Sequence, residues 1–469
     1  MRFPWIGRVM PMVAVVLVLV WALSMVTDVV RERSARQQEA AQNVADSLAG
    51  EQTLVGPWLV RECIERYRTQ QGEGRDAVWR DEQRSFTLQA APTQLTANAS
   101  AGIEARQRGI FKVNGYVLEA QVEAVWANLA VLQPLAAHEQ GNVTCQAPRW
   151  VMAVSDPRGI RQAALTVDGR PFQIEAGTGH AAHRRGMSAS LPLAGEPGLG
   201  APLRTTLKLT LVGTRHFAMA PIGEANQLTL GADWPHPSFD GRFLPTTRTV
   251  AANRFDATWQ VSALASNARD SLLAGKPLCG GDGGSVAAAS GAGCIEHFGV
   301  AFIDPVNPYV LGDRATKYGM LFIVLTFVAV GLVEVLRRLR VHPVQYLLVG
   351  AALVVFFLLL VSLSEPWPFE WAYLTAASAC TALLAFYARH VLGGVRPGLV
   401  FGAGIAALYG ALYVLLRLEQ NSLLMGSLLL FAVLAAVMAL TRRVDWYALA
   451  AARSTVAVDA TDVGQGSEA

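Results

Sequence analysis

The sequence predicts an α+β membrane protein. One N-terminal transmembrane helix precedes a large antiparallel β-rich, sandwich-like domain outside the cytoplasm, and a C-terminal bundle of five transmembrane helices follows. Three observations lead there. Of 469 residues, 52% are hydrophobic and 16% charged, where a soluble domain carries about a quarter charged residues. The apolar excess is gathered into long uncharged runs, each near the roughly 20 residues that a helix needs to cross a bilayer. Between the first run and the rest, apolar and polar residues alternate with a period of two, as in half-buried strands.

The first run covers residues 9–27, and the others cover about 318–336, 346–364, 371–387, 399–416 and 422–440. Ala22-Leu23-Ser24 loosely fits a signal-peptidase site, but the apolar stretch is long for a cleaved leader, so a retained anchor is expected. Short loops set orientation through their Lys and Arg content. Arg337, Arg338 and Arg340 make one loop basic, whereas the next carries Glu365 and Glu370. Arg389 and Arg396 follow, then Arg417 with Glu419, and finally Arg442, Arg443 and Arg453. This alternation, with Arg2 and Arg8 at the start, predicts that both termini are cytoplasmic; Arg31, Arg33 and Arg36 are discordant. The expected organisation is a cytoplasmic N-terminus (1–8), an anchor (9–27), an exported β-rich domain (28–315), a five-helix bundle (316–441) and a cytoplasmic tail (442–469).

Four cysteines, Cys63, Cys145, Cys279 and Cys294, fall in the exported segment, and Cys380 falls in a span. An even number in an oxidising compartment permits two disulfides. Cys279 and Cys294 bracket a Gly/Ala-rich loop, CGGDGGSVAAASGAGC, and pairing them would remove roughly 3 kcal/mol of unfolded-state freedom. Cys63 with Cys145 is the other candidate pair; the sequence does not fix connectivity, and four unpaired thiols are the alternative.

Within the exported segment, residues 117–125, 207–211 and 226–230 alternate as strands. Asn114-Gly115 and Asp168-Gly169 predict two-residue hairpin turns. An amphipathic helix over about 28–49 extends the first span outward.

The stretch WPHPSFDGRFLP, residues 234–245, gathers His236, Ser238, Asp240 and Arg242 between aromatics and prolines. Prolines at 235, 237 and 245 remove backbone donors, which excludes a central strand. A catalytic triad needs convergent side chains, and neighbours along an extended segment do not converge. The segment is therefore expected to be a rigid loop with Trp234 and Phe239 as packing anchors and Asp240-Gly241 as a turn. His236 and Ser238 are its candidate contact residues. His180 and His183 lack a neighbouring carboxylate or cysteine and precede Arg184 and Arg185, so a solvated loop is expected rather than a metal site. Asp156-Pro157-Arg158-Gly159 reads as a turn. No cofactor motif is found: the Gly-rich loop lacks the Lys of a phosphate cradle.

The five clustered runs carry almost no ionisable residues. Charge inside a bilayer is costly and marks ion-coupled transport; Glu334, near a helix end, is expected to be interfacial. Gly402, Ala406 and Gly410 form a small-residue stripe suited to close helix packing or to a second copy of the chain. Trp367, Trp371, Trp446 and Tyr447 fit interfacial belts.

Asp313-Arg314-Ala315-Thr316-Lys317-Tyr318 and the nine residues from His342 to Gly350 (HPVQYLLVG) complete a pattern with Trp234-Pro235-His236-Pro237-Ser238-Phe239. Together with Leu54-Val55-Gly56-Pro57, Ser364-Glu365 and Asp445-Trp446-Tyr447, they resemble the CreD family of bacterial inner-membrane, cell envelope integrity proteins. The resemblance runs from the first span past the sixth. It implies a Gram-negative inner membrane, a periplasmic β-rich domain, expression under the CreBC two-component system, and a role in envelope stress, colicin tolerance and β-lactam responses. It supplies no catalytic residues.

Asp313, Arg314 and Lys317 are expected where the β-rich domain meets the second span, either coupling the two or anchoring at the interface. His342 is expected to begin the third span, with Pro343 in its first turn. The leading functional expectation is a non-enzymatic envelope-stress protein whose periplasmic domain binds an envelope component or protein partner. Membrane lipid is expected as a neighbour, and nucleic acid is not. The alternatives are a transporter or accessory for an uncharged or lipid-like substrate, and an anchored periplasmic enzyme.

Overall fold

A computed structural model of the chain describes residues 6–71, 78–108, 111–139, 141–192, 200–278, 293–302, 308–337, 341–417 and 422–442. The chain divides into two compact units. One joins the residues up to Arg36 with those from Val306 onward, and the other is Gln37–Pro305.

Helix α1 (Ile6–Ser47) runs unbroken for 42 residues through the first span and the extension expected beyond it. Past the apolar run it carries ladder pairs, Arg36 with Glu32 at 2.6 Å and Arg31 with Asp28 at 3.6 Å.

The strands follow as β1 (Gln52–Gln71), β2 (Val78–Ala90), β3 (Gln94–Arg108), β4 (Phe111–Trp126), β5 (Asn142–Cys145) and β6 (Arg149–Val154). Next come β7 (Ile160–Val167), β8 (Arg170–Phe172), β9 (Glu175–Ala176), β10 (Gly186–Ser190), β11 (Leu203–Thr214) and β12 (His216–Met219). The last are β13 (Ala225–Ala232), β14 (Pro237–Gly241), β15 (Thr247–Val250) and β16 (Phe255–Ser262), a short helix α2 (Ala268–Leu273), and β17 (Phe298–Phe302). The first sheet has the order β14-β17-β12-β1-β6-β10-β9, with β2 and β5 also paired to β1; the second runs β15-β16-β13-β3-β4-β11-β7-β8. Pairing is antiparallel except for β1 with β12 and β3 with β13, which are parallel. The purely antiparallel expectation is corrected there.

One apolar cluster takes side chains from both sheets, including Leu54, Leu59 and Trp150 from the first and Leu118, Val122, Leu207 and Leu228 from the second. Alternation explains this: in β11, Leu203, Thr205, Leu207 and Leu209 are buried while Arg204, Thr206, Lys208 and Thr210 are not. Each fully buried Leu or Phe contributes about 1.5–3 kcal/mol. Polar links also cross between the sheets, Gln52 Nε2 donating to the Val212 carbonyl at 3.0 Å and Trp126 Nε1 to the Ala90 carbonyl at 3.1 Å. Trp150 Nε1 donates to Thr205 Oγ1 at 3.3 Å, and Tyr116 Oη donates to the His216 carbonyl at 2.8 Å.

Asp168 and Gly169 form the expected turn, with φ of 47° and 79° and Val167 paired to Arg170. Asn114-Gly115 does not turn. It lies inside β4, with Gly115 paired to Glu104 of β3 on one side and Thr214 of β11 on the other. Ladders on both edges outweigh the local turn preference. The β3–β4 connection falls instead between the paired Arg108 and Phe111.

The helical unit continues with α3 (Pro308–Arg337), α4 (Pro343–Ser364), α5 (Phe369–Val391), α6 (Val395–Arg417) and α7 (Ser422–Thr441). Among the described residues, five helices are long and apolar enough to cross a membrane, one fewer than hydropathy predicts. In the sixth, α7, the apolar run Gly426–Ala439 is shorter. Helix α3 begins before the expected start at 318, so Asp313–Tyr318 lies within its first turns.

Phe322, Phe356, Phe357, Tyr373 and Tyr409 fill the bundle core, and Tyr373 Oη donates to the Tyr409 carbonyl at 2.6 Å. Side chains at Gly319 and Gly350 would overlap Leu23 and Leu19, so these glycines let α1 lie close against α3 and α4. In the small-residue stripe of α6, Gly402 packs on Ala385 of α5, while Gly410 faces open space. Ion pairs join the helices: Arg33 of α1 with Glu365 at the end of α4 at 3.5 Å, and Arg417 at the end of α6 with Glu370 at the start of α5 at 2.7 Å.

Candidate functional site

WPHPSFDGRFLP contributes strand β14, at the edge of the first sheet and paired only to β17. An edge tolerates prolines because one row of backbone donors needs no partner. The structure thus makes part of the expected loop a strand. Phe239 points inward, its ring 5.6 Å edge-on from both Phe255 and Trp259 of the second sheet. Trp234 packs partly buried against the same core and donates Nε1–H to the His236 carbonyl at 3.0 Å. Gly241 has φ of 85°, which favours glycine, and a side chain there would collide with the His297 carbonyl.

If Phe239 points inward, Ser238 and Asp240 point outward. Register aligns Ser238, Ala301 and His216 in one row, and Asp240, Gly299 and Ala218 in the next. Because Gly299 and Ala301 carry almost no side chain, Asp240 reaches across β17, and its Oδ1 meets His216 Nε2 at 2.9 Å. His297 lies on the same face, its ring 6.3 Å edge-on from His216. Burial, then the His216 charge, push the His297 pKa below its ordinary value, partly opposed by Asp240 and by the Ile295 backbone. Its Nδ1 is buried without a partner among the described residues. Beside it, Glu296 accepts from Arg242 at 3.3 Å, Ser266 Oγ at 3.0 Å and the Asn267 backbone at 3.1 Å.

His236 is exposed and Ser238 half-buried, and neither is hydrogen-bonded to the other. The carboxylate of the segment meets His216 instead, a residue that the sequence reading did not single out. An Asp–His pair over a floor of Gly and Ala can hold a hydrogen-bonding ligand, and among the described residues no Ser, Thr or Cys side chain is hydrogen-bonded to it.

His180 and His183 differ from the solvated loop expected. Their rings stack at 5.4 Å and stand edge-on to Trp58, at 5.6 and 6.2 Å. Burial lowers both pKa values, and the His180 charge lowers that of His183 further. Among the described residues, no group of three or more His, Cys, Asp or Glu side chains has metal-binding geometry. Asp156 caps a short turn and bonds Arg158 at 2.7 Å; burial would raise its pKa, but Arg158 and the Gly50 backbone lower it.

Cys63 and Cys145 are directly paired across β1 and β5 and form a disulfide. A cleft of about 430 Å³ lies beside it, lined by Glu62, Ile64, Ser85, Thr87 and Thr144 among others. Cys294 is disulfide-bonded, and its expected partner Cys279 lies outside the described residues. Near Cys63, the buried Glu65 accepts from the backbone of Ala137 at 2.8 Å and His138 at 2.9 Å, and meets His138 Nδ1 at 3.2 Å. Burial alone would raise its pKa; these donors outweigh burial and lower it.

In the helical unit, Asp313 pairs with Lys317 one turn away at 2.6 Å, and Arg314 lies beside them, half-buried. His342 caps α4: its Nδ1 accepts from the Val344 backbone at 3.3 Å, and Gln345 Oε1 accepts from the His342 backbone at 3.0 Å. Pro343 occupies the first turn. Glu334 accepts from Tyr346 Oη at 2.9 Å. Trp446 and Tyr447 lie outside the described residues.

A family model described as "Inner membrane protein CreD" matches residues 5–447. The chain is 32% identical over 449 residues to "Inner membrane protein CreD" of Escherichia coli (strain K12), covering 96% of this chain and 95% of that protein. Among solved structures, an M1 zinc metallopeptidase from Deinococcus radiodurans is similar in mutant form, with TM-score 0.18 and 11% identity, over 36% of this chain and 38% of that one. Its unsubstituted form gives TM-score 0.17 and 11% identity over the same shares. Likeness at that level carries no argument about fold or activity.

Proposed function

Because the chain belongs to the CreD family of inner membrane proteins, we propose that this multi-pass inner-membrane protein serves envelope integrity under stress. In this reading the β-rich unit stands in the periplasm, where it binds an envelope component or a protein partner. One observation carries the proposal: the unit Gln37–Pro305 is inserted between α1 and α3 of a single helical unit, so both its ends are tied to apolar helices. The Cys63–Cys145 disulfide supports an oxidising compartment, and the loop charges support cytoplasmic termini. A non-enzymatic role fits the outward face of the first sheet, where Asp240 is paired with His216 and Ser238 stands apart. The aromatic filling of the bundle gives a transport path no specific support.

Two experiments test this reading. An alkaline phosphatase fused near residue 200 should be active in intact cells, while a fluorescent reporter there that matures only in the cytosol should stay dark. The opposite pattern overturns it. Photocrosslinkers at Ser238 and Arg242 should then capture a discrete envelope component, and capture of nothing but bulk lipid rejects the binding role.

A further inference from the structure

Four of the chain's eight histidines stand on the outward face of the first sheet. Trp150 reaches Thr205 of the second sheet, so Trp150 and its partner Leu59 face inward. Trp58, the residue before Leu59, therefore faces outward together with Val151 and Ser188, its neighbours by register. Yet Trp58 is 0% exposed, because the segment joining β9 to β10 folds over it.

That segment is built as a unit. Its base is closed by Gly177 N donating to the Gly186 carbonyl at 2.9 Å, and both glycines have positive φ, 83° and 143°. Inside it, Thr178 Oγ1 donates to the His183 carbonyl and accepts from His180 N at 3.0 Å, while His180 Nδ1 accepts from His183 N at 3.3 Å. Hydrogen bonds pin its two ends to the sheet, Val154 N donating to the Arg185 carbonyl at 3.1 Å and Ser188 Oγ to the Gly177 carbonyl at 2.8 Å. Over Trp58 itself it rests on two imidazole rings against one indole, with His183 Nε2 and Trp58 Nε1 both buried and unpartnered among the described residues.

We propose that residues 177–186 form an acid-operated flap: proton uptake by His183 and His180 lifts it and uncovers Trp58.

The closed geometry opposes a proton. A buried imidazolium needs an acceptor for each N–H and a counter-charge nearby, and His183 Nε2 has no acceptor among the described residues. On the same face the exposed carboxylate Glu175 stands in the register row of Ser188, Val151 and Trp58, at the β9 edge away from Trp58, and the other charged groups near the pair are cations. Arg184 and Arg185 flank His183 in sequence. Arg149 of β6 lies under Gly179 and donates to Ser188 Oγ at 2.8 Å, and Ala182 approaches the turn after α2 at Gly275, next to Lys276. The face turned toward β1 is the uncharged Trp58. By contrast, His216 and His297 have Asp240 beside them to balance a proton. Burial holds both flap histidines below the ordinary imidazole range, so lifting the flap raises their proton affinity, and acid draws the equilibrium toward the open form. Opening exposes an indole with a free donor beside Val151, a ready contact for an apolar partner.

The test uses the full-length protein in lipid nanodiscs. Amide exchange is followed by mass spectrometry at about pH 7.5 and about pH 5.5, on either side of the ~6.5 of a free imidazole, with times scaled for intrinsic exchange. Peptides spanning 177–186 should lose protection several-fold at the lower pH and regain it on return, while peptides of β11 hold theirs. The variant His180→Gln/His183→Gln should lose this response, and His297→Gln should keep it. Unchanged protection of 177–186 in the unsubstituted protein overturns the proposal by itself, whatever the variants do. So does a response that survives the double substitution.

Discussion

Asp240 and His216 lie 24 residues apart and meet at 2.9 Å across a strand that belongs to neither of them. The contact exists because β17 presents Gly299 and Ala301 along the crossing line. It ties the edge strand β14 to β12 and leaves Ser238 beside the tie. Asp240→Ala should cost about 1 kcal/mol, since the carboxylate is partly exposed. For a unit of this size that is about 2–4 °C in unfolding midpoint, readable by thermal melting of the purified protein. A midpoint unchanged within error would mean that the pair contributes nothing to holding β14.

Glu65 should govern the acid limb of stability. Its folded pKa lies below its unfolded value, so its contribution is present above the unfolded pKa, about 4.3, and is lost as pH falls through the folded value. Glu65→Gln should lower stability near neutrality and flatten the decline in that acid window. Melting curves measured across the window read both effects, and an acid limb as steep as in the unsubstituted protein would exclude Glu65 as its source.

The Cys63–Cys145 bridge closes a separation of 82 residues, which corresponds to about 4.5 kcal/mol in the chain-entropy account. A thiol reductant should therefore lower the unfolding midpoint of the unsubstituted protein. It should have a smaller effect on Cys63→Ser/Cys145→Ser, which starts from a lower midpoint and keeps only the bridge at Cys294. Equal reductant sensitivity in the two proteins would assign the effect elsewhere.

Gly350 allows α1 and α4 to approach with Leu19 between them. Gly350→Leu should separate the helices and reduce the amount of protein in the membrane, and a second change, Leu19→Ala, should restore much of it. Immunoblots of membrane fractions read the result; failure of rescue would show that the glycine matters for some reason other than that contact.

Local features were the legible ones. The alternation in β11 and the Asp168-Gly169 turn each depend on neighbours in sequence, and the structure has them where the pattern put them. Asn114-Gly115 was misread because a turn signal competes with two ladders that only the folded sheet supplies. The Asp240–His216 contact could not be read at all: it follows from the register of β14, β17 and β12, and His216 carries no motif. The histidines of residues 177–186 looked solvated because their burial comes from Trp58, more than a hundred positions earlier. Helix α3 was read too short because Asp313, Arg314 and Lys317 interrupt the hydropathy without breaking the helix.

Strand β1 touches β2, β5, β6 and β12 in turn, and its parallel neighbour β12 begins at His216. During synthesis it is the first strand to emerge, and part of one edge stays open while some 160 further residues are made. Closure of so distant a pairing is slow, and an open edge meanwhile invites wrong partners. The nascent chain must therefore be shielded until its middle third has been delivered, and a stall before that point would release an adhesive half-sheet rather than a smaller working protein.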